Sequence, residues 1–78
     1  GLAAGISKDV RIAHKHGSAI LPASESNTTW FELHDCGYIY YPERTYHLCV
    51  MTRGDKETEM TQLIQNISQT VYEDVKNR

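Results

Sequence analysis

The sequence predicts an α+β fold, a three-stranded antiparallel sheet followed by a C-terminal amphipathic helix. Three observations carry that prediction. Residues 9–16, 30–41 and 46–52 are three runs with strand character, the second rich in aromatic residues. A short Pro-started connection, Pro42-Glu43-Arg44-Thr45, joins the second run to the third and makes them a hairpin. Apolar residues then recur at helical spacing as Met60, Leu63, Ile64, Ile67, Val71 and Val75.

Each element has its own justification. Residues 1–8 read as irregular, with two glycines and the polar pair Ser7-Lys8. In the first strand Val10, Ile12 and His14 fall on one face, and Arg11, Ala13 and Lys15 on the other. Lys15-His16-Gly17 closes that strand. Residues 17–29 read as a long loop, with Gly17, Pro22 and a Ser/Asn/Thr cluster. Loops of that length in a small chain are often functional. Gly37 interrupts the second strand and predicts a bulge or a close backbone approach. The third strand holds Leu48-Cys49-Val50-Met51, apolar on consecutive positions, so it asks for cover on both faces. The helix is expected from about residue 56 to about residue 76. Asp55 is its expected N-cap, Glu57 and Glu59 lie in its first turn, and Lys76 and Arg78 lie at its end, all matching the helix dipole.

Composition limits the possible functions. The chain has 78 residues, enough for one small domain, and a chain near this size buries only ~60% of its unfolded surface. Apolar content of 40% against 23% charged residues favours a folded chain over a disordered one. A net charge of -2 argues against bulk electrostatic binding to nucleic acid or anionic lipid. No stretch approaches the ~20 apolar residues of a membrane span. The opening Gly1-Leu2-Ala3-Ala4-Gly5 lacks the regions of a signal peptide and reads as the middle of a longer protein.

Several residues could carry chemistry. Lys15, a cation at a strand end beside Gly17, can hold a carboxylate by charge and hydrogen bond, and Gly17 admits a ligand to the backbone. The plain alternative is a solvated lysine next to a turn glycine. His14 and His16 share a strand face and, with His34 or His47, would be needed for any metal site; no supporting carboxylate or cysteine spacing accompanies them, and neither metal nor cofactor is expected. Cys36 and Cys49 lie on the two strands of one hairpin. The plain reading is two buried thiols acting as small apolar residues, and a bridge depends on register: a turn at 42 and 43 sets them face to face, a turn at 43 and 44 makes them diagonal neighbours, and a three-residue loop puts them on opposite faces. Asn27 and Asn66 fit the glycosylation acceptor pattern, which carries no weight without a known compartment.

The order of these pieces is more specific than any one of them. Gly1-Leu2, Val10 to Gly17, Asp35-Cys36-Gly37-Tyr38-Ile39-Tyr40-Tyr41-Pro42, Tyr46 to Gly54 and then an amphipathic helix resembles the C-terminal part of class A β-lactamase-like serine hydrolases, which share their fold with the penicillin-binding DD-peptidases. The resemblance covers nearly the whole chain. The family's catalytic set is a Ser-x-x-Lys pair, a Ser-Asp-Asn-type loop and a strand-borne Lys-Thr-Gly. Only the last has a counterpart, Lys15-His16-Gly17; no Ser-x-x-Lys and no Ser-Asp-Asn occurs. The resemblance implies that Lys15 anchors a substrate carboxylate and that the backbone N–H of Ser18 is one donor of an oxyanion hole. His16 stands where the family has threonine. An imidazole there either obstructs the carboxylate, donates in place of the hydroxyl, or marks lost activity.

The resemblance also implies a five-stranded sheet with helices on both faces, two strands and a helix coming from the far N-terminal part. Residues 1–78 would then be one partial domain, inactive alone because the nucleophile is absent. The third strand would expose an edge, whose partner is the remainder of the parent fold or a second copy. The family implies an extracellular or cell-envelope location in a bacterium. The competing reading is a stand-alone α+β binding module without catalysis.

Overall fold

A computed structural model describes residues 1–21 and 29–78. Strand β1 is Arg11–Leu21, β2 is Trp30–Tyr40, β3 is Tyr46–Gly54, and helix α1 is Glu57–Lys76. The sheet order is β1-β2-β3, antiparallel throughout. This is the α+β architecture expected from the sequence.

The first strand is longer than the sequence suggested. Gly17 does not end it. Pairing continues from Gly17↔His34 through Ser18↔Leu33 to Leu21↔Trp30. The N-terminal end of β2 offers a full ladder there, and ladder hydrogen bonds outweigh the weak strand preference of one glycine. Asn27 and most of the expected loop lie outside the described residues.

The β2–β3 hairpin turns on two residues, Pro42 and Glu43. Proline fixes its own φ, Glu43 takes a φ of 66°, and the Arg44 N–H donates to the Tyr41 carbonyl at 2.9 Å. That turn sets the register Cys36↔Cys49, with Cα atoms 4.0 Å apart, and the two cysteines form a disulfide. The register runs through Gly37 without a bulge. Gly37 is a close approach instead, because a Cβ there would lie 2.7 Å from the His14 Cβ.

The N-cap of helix α1 lies one residue after the expected one. Lys56, not Asp55, is the N-cap, and no side chain caps the first turn. The backbone is still extended at Lys56, so Asp55 sits too far back to reach the free N–H groups. The acids Glu57 and Glu59 do occupy the first turn. The buried stripe is Met60, Ile64, Ser68, Tyr72 and Val75, while Leu63 is exposed. The stripe is therefore rotated from the expected one and admits a serine and a tyrosine.

The reason for the rotation is the segment that looked irregular. Leu2–Gly5 is a 3-10 turn packed along α1. Gly5 permits the contact, since a Cβ there would lie 2.7 Å from the Gln65 carbonyl oxygen and 2.8 Å from the Gln69 nitrogen. Leu2 joins Val50 and Ile64 in one buried cluster. Ile6 joins Ile39 and Tyr72 in the other. The core thus lies between one sheet face and α1, closed at the side by residues 2–6. Tyr41 meets Tyr72 edge-on, with ring centroids 5.8 Å apart. The Arg44 Nη1 donates to the Val75 carbonyl at 3.0 Å and ties the hairpin turn to the end of the helix.

The opposite sheet face has no covering element among the described residues. Trp30, Tyr38, Tyr40 and Met51 stand exposed on it. Glu32 and Arg53 form an ion pair on it at 3.2 Å.

Candidate functional site

Strand alternation sorts the candidate residues onto two faces. β1 is an outer strand, and its other edge has no partner among the described residues. Successive side chains point to opposite faces. Lys15 and Gly17, opposite Cys36 and His34, belong to the uncovered face. His16 and Ser18, opposite Asp35 and Leu33, belong to the helix face. The four residues meet only along the strand itself, at the open edge. Lys15, His16 and Ser18 are exposed there.

Gly17 has a packing role. A Cβ at this position would come within 2.6 Å of both Cε1 and Nε2 of His34. The imidazole of His34 therefore lies across the glycine on the Lys15 face. The Nδ1 of that ring is buried with no hydrogen-bond partner among the described residues.

The helix face carries a built polar centre. Asp35 is 1% exposed, in the middle of β2. Its Oδ2 accepts the Leu2 N–H at 2.9 Å. The His14 Nδ1 lies 2.9 Å from Oδ1 and 3.2 Å from Oδ2. A carboxylate only accepts, so Nδ1 is assigned the proton and donates. Gly37, directly opposite His14, leaves the space for this approach. Ser68, fully buried on α1, donates from Oγ to the Leu2 carbonyl at 2.7 Å. Both backbone polar groups of Leu2 are thus satisfied by buried side chains, one from the sheet and one from the helix. A cavity of about 340 Å³ adjoins the centre, lined by His14, His16, Leu33, Asp35, Thr61 and Ile64 among others. That volume falls at the low end for small-ligand sites.

Sequence reasoning did not single out Asp35 or Ser68. An acid inside an aromatic strand was the available signal, but its partners are 21 and 33 residues away. The histidines do not converge. His14 and His16 lie on the helix face with ring centroids 6.5 Å apart, and His34 and His47 lie on the other face. His47 packs against Tyr38, with centroids 4.8 Å apart.

The model of the β-lactamase enzyme family matches residues 1–75. The chain belongs to the β-lactamase enzyme family. No curated protein and no solved structure matches it. Within that family the three strands and the helix are a portion of a β-lactamase-like fold. Lys15-His16-Gly17 then lies on the outermost strand of this portion, with its outer edge open.

Proposed function

We propose that this chain is the C-terminal part of a serine hydrolase transferring acyl groups from β-lactam or peptidoglycan-type amides. It supplies one wall of the site, and the nucleophile lies elsewhere. The observation that carries this reading is the family match over residues 1–75 in a chain without Ser-x-x-Lys. Each residue has a role in the proposal. The exposed Lys15 ammonium holds the substrate carboxylate. The Ser18 backbone N–H is one of two donors to the developing oxyanion, a group worth ~10²–10³ in rate when its partner donor is present. His16, on the opposite face of the strand, reaches that carboxylate around the open edge in place of a hydroxyl, and Gly17 leaves room for the His34 ring on the Lys15 face. Alone the chain is inactive, because acyl transfer needs the serine oxygen as nucleophile.

The open edge of β3 and the uncovered aromatic face support a partner, either the remainder of the parent fold or a second copy. An extracellular or cell-envelope site of action goes with this reading. Labelling with a fluorescent penicillin tests it. A polypeptide joining this chain to a Ser-x-x-Lys-bearing half should take the label, and Lys15→Ala should reduce labelling by about an order of magnitude or more, as loss of a charge-assisted contact does. The isolated chain should take none. Covalent labelling of the isolated chain would overturn the assignment of the nucleophile.

A further inference from the structure

We propose that the Cys36–Cys49 disulfide is a thiol-exchange site, at which a small thiol joins Cys49 and Cys36 leaves as a thiolate beside Lys15. The inference is independent of the reading of Lys15 as a carboxylate anchor. Three observations carry it. The bridge lies on the uncovered sheet face, because Cys36 pairs with Lys15 on one side and with Cys49 on the other. Its two ends differ in access, with Cys49 exposed and Cys36 half-buried. Lys15 is exposed and directly opposite Cys36. Directly opposed residues carry Cβ atoms ~4.5–5.5 Å apart, so the flexible lysine stem can bring its ammonium to the more enclosed sulfur.

Exchange proceeds by attack of a thiolate on one sulfur of a disulfide, and the other sulfur leaves. Access selects the attacked atom, and the stability of the departing thiolate selects the leaving one. Both choices agree here. The incoming thiol gives its proton to solvent and its sulfur bonds to the Cys49 Sγ. The Sγ–Sγ bond breaks, and its electron pair leaves on the Cys36 Sγ. One disulfide is consumed and one is formed, so no outside oxidant enters. A neighbouring cation stabilises a thiolate, and Lys15 supplies one to Cys36. His34 and His47 flank the bridge on the same face and bring no negative charge. Glu32, an acid on this face, lies beyond His34 and is engaged by Arg53 at 3.2 Å. A partner covering this face would close off the Cys49 sulfur, so exchange belongs to the unpartnered chain.

Brief incubation of the chain with reduced glutathione, quenching with iodoacetamide and peptide mass mapping test the proposal. Glutathione should be found on Cys49 and the alkyl group on Cys36. The opening rate should be first order in glutathione and unchanged by urea below the unfolding transition, as attack on the folded hairpin requires. Lys15→Met keeps the stem without the charge and should slow opening about two- to fivefold, the scale of one exposed ion pair. That difference should fade in about 1 M salt. Glutathione on Cys36 instead would overturn the proposal, as would a bridge that glutathione leaves intact or a rate unchanged in Lys15→Met. A rate that climbs with urea would overturn it too, because the bridge would then open only through unfolding. Should Lys15→Met not fold, the site of attachment and the urea dependence of the unaltered chain decide the matter.

Discussion

At the residue scale, Asp35 is the side chain on which most depends. It is a buried acceptor holding two donors from different elements, the Leu2 N–H and the His14 Nδ1. Removing one member of a buried charged group strands the others, and this costs more than the group's own net contribution. Asp35→Ala should therefore destabilise the chain by about 3 kcal/mol in a denaturant melt. Lys15→Ala, on the exposed face, should stay within about 0.5 kcal/mol. If the two variants melt alike, Asp35 does not hold the 3-10 turn to the sheet. Tyr46 gives a prediction of the opposite sign. Its hydroxyl is buried without a partner among the described residues, so Tyr46→Phe removes an unpaired polar group and should be neutral or stabilising by up to about 1 kcal/mol. Burial first, and neighbouring Tyr72 second, push the phenol above its ordinary 10.0. A raised value means the folded chain holds this proton more tightly than the unfolded chain does. The stabilisation is complete below pH 10.0 and is lost as pH rises through the folded value. Denaturant melts from pH 9 to 11 should show stability declining, and Tyr46→Phe should flatten that decline.

At the element scale, the contact between the 3-10 turn and α1 decides where the helix stripe falls. Gly5→Ala forces a methyl into the Gln65–Gln69 backbone, which cannot yield as a side-chain end can. A loss of about 2 kcal/mol in a thermal or denaturant melt is expected, typical of overpacking. A loss below 0.5 kcal/mol would mean that the turn and helix are not in tight contact. The hairpin allows a separate test. The disulfide spans 13 residues, and the chain-entropy account gives such a loop about 3 kcal/mol. Reduction should lower the denaturant midpoint accordingly, provided that β2 and β3 stay paired. These elements also show what could be read in advance. Three strands, their pairing, the hairpin and the helix were legible because alternation, Pro42 and the apolar period are local signals. The length of β1 was not, because Gly17 looks like a stop until Trp30 to His34 are seen to pair with it. The core roles of Leu2 and Ile6, the rotation of the stripe to Ser68 and Tyr72, and the Asp35 centre all arise from contacts at long sequence separation. On the candidate site, the alternation of Lys15 and His16 was legible. The seating of His34 on Gly17 required the register between two strands.

At the scale of the whole molecule, the chain is one-sided and elongated, with extents of 49 × 18 × 17 Å. One sheet face meets α1 and the 3-10 turn. The other presents Met51 at 68% exposure and Tyr38 at 53%, with Trp30 and Tyr40 beside them. A patch of this kind is uncommon on a monomer and invites association. The outer edge of β3 adds a row of backbone donors and acceptors without a partner strand among the described residues, a template for pairing with a second chain. Face and edge differ in what they predict. Association through the aromatic face depends on side chains and should weaken when Met51 and Tyr38 become charged. Association through the edge depends on backbone and should weaken when a proline removes a donor from β3. The face carries the large exposed apolar side chains Trp30, Tyr38, Tyr40 and Met51, so the face should dominate. Sedimentation velocity of the isolated chain should show concentration-dependent self-association, and the double variant Tyr38→Lys/Met51→Glu should shift it toward monomer with the melt changed by less than about 1 kcal/mol. A variant that stays associated while His47→Pro disperses it would transfer the role to the β3 edge. A chain that is monomeric at every concentration measured would show that neither surface is sufficient alone.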